Sequence, residues 1–200
     1  DKGVRRFDTT VQSEFLTWLY AITPSGGTPN LQVVDRMGKY FQRKDNNGPW
    51  GDSPNGSGSI TSTDPANPSH ASCRRSYGML MTDGYYNSAG SFTRTDVDTS
   101  NGPLISSPTT FQYTPVGPYS DTRSGTKIAN TMADVAMFYY LNDLRDDVAN
   151  NVRPVASDEA FWQHLNFYGI GLGVVGTLVF FSDAALTALY APTPPVALPT

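Results

Sequence analysis

Cysteine is nearly missing from this sequence: its 200 residues hold one, Cys73. No disulfide can close within the chain. Three readings of that thiol stay open: a small buried or idle side chain, a partner for a cysteine elsewhere, or an exposed redox-active group. Histidine is scarce too, at His70 and His164. His70 precedes Cys73 closely, but zinc wants four ligands and no second Cys or His cluster supplies them. Charge is thin at 16%, with a net of −4 and no run of Lys or Arg, so a basic face for nucleic acid is excluded. The most apolar stretch, 168–181, is too short and Gly-rich for the ~20 residues of a spanning helix, and no membrane insertion is expected. No signal peptide is visible, and the chain opens on Asp1, as expected of a piece excised from something longer. Nucleophile-elbow, P-loop and dinucleotide fingerprints are all lacking. Residues 169–173 carry alternating glycines without the helix a phosphate site requires; close packing of a strand on a helix is the expected use.

Glycine (18) and proline (15) are plentiful, and a hydrophobic share of 38% suffices for a buried core. That mixture predicts one compact domain with long loops. A short strand is expected at 3–7. Val11, Phe15, Trp18, Leu19 and Ile22 then fall at helical spacing over 10–22. A Gly- and Pro-rich turn follows, and Pro29 is expected to open a second helix with Thr28 as its N-cap. Leu31, Val34, Met37 and Phe41 form that helix's apolar stripe, which is expected to end near Gln42. Residues 44–72 read as a polar loop pinned by Trp50. The apolar run 77–82, closed by Asp83-Gly84, predicts a strand buried on both faces. A second polar stretch, 87–125, precedes the clearest helical pattern, 126–144. Ser157 is expected to cap a short helix carrying Phe161 and Trp162, and 167–175 to form a second buried strand. Residues 191–200 read as a Pro-rich linker. Strands alternating with helices predict an α/β layered fold.

Several polar residues have ordinary readings. His164 is expected to pack or cap. Asp143, Asp146 and Asp147 around Arg145 read as a solvated helix end, and Asp158 and Glu159 as first-turn helix acids. Asp134, among small and apolar neighbours, is expected to turn inward and bond loop backbone.

Four segments in this order carry a resemblance. They are Ser25-Gly26-Gly27-Thr28-Pro29 before an amphipathic helix, and Cys73-Arg74-Arg75-Ser76-Tyr77 leading to Leu80-Met81-Thr82-Asp83-Gly84. Met132-Ala133-Asp134-Val135 with Phe161-Trp162-Gln163-His164 comes next, then Gly171-Leu172-Gly173-Val174. From about residue 3 to 178 this series resembles the von Willebrand factor A-type domain region of the PilY family, the tip-associated adhesins of type IV pili.

The resemblance implies a doubly wound, mostly parallel sheet flanked by helices over 1–190, with loop insertions at about 44–72 and 87–125. It also implies a metal-ion-dependent adhesion site for Mg2+ or Mn2+, in which Thr28 and Asp83 match two of the family's three ligand motifs. The third, Asp-x-Ser-x-Ser, is not in the sequence. The first strand and helix are therefore expected upstream of Asp1, as another segment or chain; the alternative is a site that does not work. A hydroxyl and a carboxylate suit a hard cation, yet Thr28 also reads as a helix N-cap and Asp83-Gly84 as a turn. The implied function is binding rather than catalysis: pilus biogenesis and surface attachment, with minor pilins and host or abiotic surfaces as partners. The implied location is the cell surface at the pilus tip, with passage through periplasm and outer membrane during assembly. The long loops are expected to carry partner specificity. Two alternatives are a structural A-type domain with a degenerate site and a metal-dependent hydrolase; the latter needs a general base beside Asp83 that the sequence does not show.

Overall fold

A computed structural model describes residues 7–23, 25–45, 48–49, 71–83, 86, 96–117, 119–120, 122–123 and 126–172. The predicted strand at 3–7 (but for Phe7), Trp50, His70, most of the 44–72 loop and the 191–200 linker lie outside those residues. Asp8 opens the first helix, α1 (Thr9–Tyr20), accepting from the Val11 amide at 2.9 Å. The expected helix is there, but none of its residues is buried, and Phe15, Trp18, Leu19 and Ile22 keep their apolar stripe open. Gly26, at φ 91°, turns the chain toward the second helix in a conformation that side-chain-bearing residues rarely adopt.

That helix, α2 (Asn30–Phe41), starts one residue later than the sequence suggested. Pro29 occupies the N-cap position, with ψ 53° outside the helical region, and its carbonyl accepts from Val33 at 3.0 Å. Thr28 is therefore not the cap. The C-terminal limit agrees, with Gln42 as C-cap. Leu31 and Val34 are fully buried, with Met37 and Phe41 packed beside them, as the stripe predicted.

Two seven-residue strands form a parallel pair: β1 (Ser76–Thr82) and β4 (Leu165–Gly171), in register from Ser76 opposite Leu165 to Thr82 opposite Gly171. Between them run a two-residue hairpin, β2 (Thr122–Arg123) with β3 (Thr126–Lys127), and the helix α3 (Met132–Leu141). A parallel pair needs such a long crossover. Helix α3 is much shorter than the 126–144 pattern because Asn130, at φ 61°, breaks the chain direction just before it. Thr131 then caps it in a reciprocal capping box with Asp134.

The core lies between the sheet and the two helices α2 and α3. Leu31, Val34, Val135, Tyr139, Leu144 and Leu165 form it, with Leu80 and Phe167 supplied by the strands. Glycines set the closest approaches. A Cβ on Gly38 would sit 2.3 Å from the Tyr139 ring, and one on Gly78 would sit 2.1 Å from Met37 Sδ. Gly169, expected to serve this purpose, has open space instead. Tyr139 completes the helix contact by donating to buried Asp35 at 2.7 Å, and Lys39 pairs with the same carboxylate at 2.6 Å.

The opposite face of the sheet is bare. Tyr77, Met79, Met81, Tyr168 and Ile170 are all exposed, which corrects the expectation of strands buried on both faces. Among the described residues, helices pack on one face only, whereas all-parallel sheets are normally covered on both. The fold is thus α/β with a parallel sheet.

Candidate functional site

The carboxyl end of the sheet carries Asp83, and the start of α2, two residues past Thr28, reaches it. Thr82 ends β1, and Asp83 follows it in an exposed turn. Asn30, the first residue of α2 and 6% exposed, donates from Nδ2 to Thr82 Oγ1 at 3.4 Å. Thr28, half-buried, lies two residues before Asn30. The helix start and the strand end thus meet, and Thr28 and Asp83 lie on the chain segments that flank the junction. On the other side, the Leu172 amide donates to the Thr82 carbonyl at 2.8 Å, carrying the ladder one step past β4. In open α/β sheets this end, where strand-to-helix loops converge, is where ligands bind.

The donor set is right in type for a hard divalent cation, but small. Thr28 offers a hydroxyl and Asp83 a carboxylate. Among the described residues, no three His, Cys, Asp or Glu side chains lie close enough together to hold a metal. Two protein ligands would leave the rest of an octahedral shell to water or another segment. Sequence reasoning missed Asn30 and Thr82 as the residues that join these loops; the only sequence signal was their adjacency to the two candidates.

The amino end of the same sheet holds a buried polar network that local sequence did not announce. At its centre is Asp158, 7% exposed. Its Oδ2 receives the Asn166 amide at 3.0 Å, faces His164 Nε2 at 3.0 Å and lies 3.2 Å from Arg75 Nε. Its Oδ1 accepts from the Tyr140 hydroxyl at 3.2 Å and from the Ala160 amide at 3.3 Å. Arg75 also donates to the Arg153 carbonyl. Burial alone would raise the Asp158 pKa, but the Asn166 amide and the His164 ring hold it below the ordinary carboxylate value. Burial, followed by the Asp158 charge, pushes the Tyr140 phenol well above its own.

No helix follows Ser157. Asp158 instead pairs backbone with Val155 and turns its carboxylate inward, so the first-turn reading of that acid is corrected. His164, buried and also placed 2.7 Å from the Trp162 carbonyl, is a packing residue as expected. Its contacts all lead into the fold, which makes this network a tie between β1, β4 and α3 rather than an open site.

Other candidates resolve similarly. Asp134 turns inward as expected, accepting from the Val97 amide at 2.8 Å. The 143–147 segment is not a solvated helix end. Helix α3 has stopped by then, and Arg145, 1% exposed, grips Asp147 through two bonds of 2.7 and 2.9 Å. Burial raises the Asp143 pKa in the same segment. Cys73 is exposed, which removes the buried reading of that thiol. An open groove along α1, among Thr9, Ser13, Thr17 and Trp18, is lined, among the described residues, by that helix and its cap.

Comparison with known proteins adds the biological setting. The chain is 31% identical over 191 residues to the type IV pilus biogenesis factor PilY1 of Pseudomonas aeruginosa strain PAK, covering 88% of this chain. The PilY1 proteins of strains PAO1 and UCBPP-PA14 match at 30% and 28% identity, over 88% and 94% of this chain. This chain spans about 15% of the length of each of these relatives. No family model matches it, and neither does a solved structure.

Proposed function

Because the chain belongs to the PilY family, we propose that it is a binding module of a type IV pilus biogenesis factor, acting in pilus assembly and surface attachment. The carboxyl edge of the sheet is its docking edge. The observation that carries the reading is the meeting of α2 and β1 at Asn30 and Thr82, which gathers the Thr28 and Asp83 loops at the end where open α/β folds bind ligands. Thr28 and Asp83 would hold Mg2+ or Mn2+, whose charge would attract an acidic group of a partner. Minor pilins, and host or abiotic surfaces, are the partners this reading assigns, with the polar loops of 44–72 and 87–125 selecting among them. The module works exported and pilus-associated, without bond breaking. No helix among the described residues is long and apolar enough to cross a membrane.

The bare face of Tyr77, Met79, Met81, Tyr168 and Ile170 supports the wider doubly wound, von Willebrand factor A-like fold. A further strand and helix, supplied by another segment or chain, would cover that surface and bring the missing Asp-x-Ser-x-Ser ligands. The test is calorimetric titration of Mg2+ and Mn2+ into the chain, into a form extended upstream, and into the extended Asp83→Ala variant. Binding that appears on extension and vanishes in the variant is expected. Binding that survives in the variant removes Asp83 from the site.

One observation favours a second reading, a structural A-type domain with a degenerate site: the small number of metal-capable groups at this edge. It predicts no metal binding by the extended form either, with partner contacts made by the loops alone.

A further inference from the structure

The carboxyl edge contains a joint that neither the relatives' names nor the metal motifs describe. Asn30 is polar, nearly buried and the first residue of an amphipathic helix whose neighbouring positions, Leu31 and Val34, are core. A carboxamide is a poor choice for such a position unless it has a partner. Its partner is the Thr82 hydroxyl, in another element and 52 residues away in sequence. Thr82 is held twice: its side chain accepts from Asn30, and its backbone carbonyl accepts from Leu172, 2.8 Å away. The next residue is Asp83, exposed and outside the strand. The other side of the joint is comparable. Pro29, whose φ is restricted by its ring, is the one residue between Asn30 and Thr28, so a shift of Asn30 is passed on to the Thr28 loop.

We propose that Asn30 and Thr82 are a latch: a pair of positioning residues that holds the Thr28 loop and the Asp83 turn at a fixed separation. This rests on the reading of the carboxyl edge as a docking site, but the latch itself is a property of the protein without metal. A divalent cation accepts only a narrow range of ligand spacings, and residues behind the ligands set that spacing. The latch is a side-chain bond that ties the first residue of α2 to the last residue of β1. The core contacts of α2, at Leu31, Val34, Met37 and Gly38, lie on its other positions and do not use the Asn30 carboxamide. Removing the latch therefore loosens the edge and leaves the core in place.

The experiment compares the upstream-extended chain with its Asn30→Ala, Thr82→Val and double variants, by amide hydrogen exchange and by Mn2+ titration. Thr82→Val preserves shape and β-branching. Far-ultraviolet circular dichroism and melting curves close to those of the parent certify the fold in each variant. Without metal, either single variant is expected to raise exchange in both 25–33 and 82–83 by several-fold, and the double variant little further, because the Asn30–Thr82 bond is already lost in each single variant. With Mn2+, each variant is expected to bind about tenfold more weakly. Exchange rising only in the segment that carries the substitution, or effects of the two variants that simply add, overturns the latch. If the parent binds no Mn2+ while exchange behaves as expected, the latch stands and the metal reading falls. If the parent binds Mn2+ and the variants bind it equally well, the metal reading stands and the latch has no part in it.

Discussion

The two ends of the β1–β4 sheet are built in opposite ways. At the amino end, Asp158 gathers Arg75, Tyr140, His164, Asn166 and the Ala160 amide, joining β4 and the residue that leads into β1 to α3 in a buried setting. At the carboxyl end, a long bond from Asn30 to Thr82 joins helix to strand, and the residue beyond it, Asp83, is exposed. A fold whose stability is concentrated at one end can leave the other held by fewer ties, and such edges are where ligand-binding loops are drawn from. The difference separates residues that keep the sheet together from residues free to meet a partner.

The strongest blow to the anchored end is Asp158→Ala. It leaves the Arg75 and His164 groups facing one another without their shared carboxylate, and is expected to cost about 3 kcal/mol. The shift of the urea midpoint measures it, and a loss under about 1 kcal/mol would deny the network its anchoring role. Next comes Gly38→Val, which drives a branched side chain into the Tyr139 ring and is expected to cost about 2 kcal/mol or more by the same measurement.

Acid sharpens the comparison further. Asp158 binds its proton less readily in the folded chain than an ordinary carboxylate does. It therefore contributes stability above its unfolded pKa, about 3.9, and that contribution is lost as the pH falls through the lower folded value. Acid unfolding followed by circular dichroism is expected to show a shallower pH dependence in Asp158→Asn than in the parent. Identical slopes would remove Asp158 from the acid response.

The smallest effects belong to the exposed surfaces. Met81→Ser, on the bare sheet face, is expected to change the stability of the 200-residue chain by less than about 0.5 kcal/mol. In a form extended upstream the same change should cost about 1 kcal/mol or more, because a covered methionine has been replaced by a polar group. Equal costs in the two forms would mean that the added segment leaves this face bare.

Periodicity carried the sequence reading where helices and strands pack through regular stripes. Helix α2 was legible from Leu31, Val34, Met37 and Phe41, and β1 from its apolar run bounded by Asp83-Gly84. What failed were features decided by single backbone angles or distant partners. The start of α3 depends on Asn130 at positive φ, which the apolar pattern around Ile128 concealed. Arg145 is a different case: its partner Asp147 is close in sequence, and what the local charge pattern concealed is its burial. The Asp158 network draws on positions 75, 140, 158, 164 and 166, and no local window contains them together. Of the candidate site, Thr28 and Asp83 came from the family motif. Asn30 and Thr82, which join their loops, emerged only once helix and strand were placed side by side.

The most direct test of the central claim is paramagnetic line broadening by Mn2+ in a nuclear magnetic resonance spectrum of the upstream-extended chain. Sub-stoichiometric metal should erase the amide signals of Thr28, Asn30, Thr82 and Asp83 first and leave those of Arg75, His164 and Asn166, at the other end of the sheet, sharp. Broadening centred instead on Asp143, Asp146 and Asp147, or none at all, would contradict a metal-dependent docking edge at the carboxyl end of this sheet.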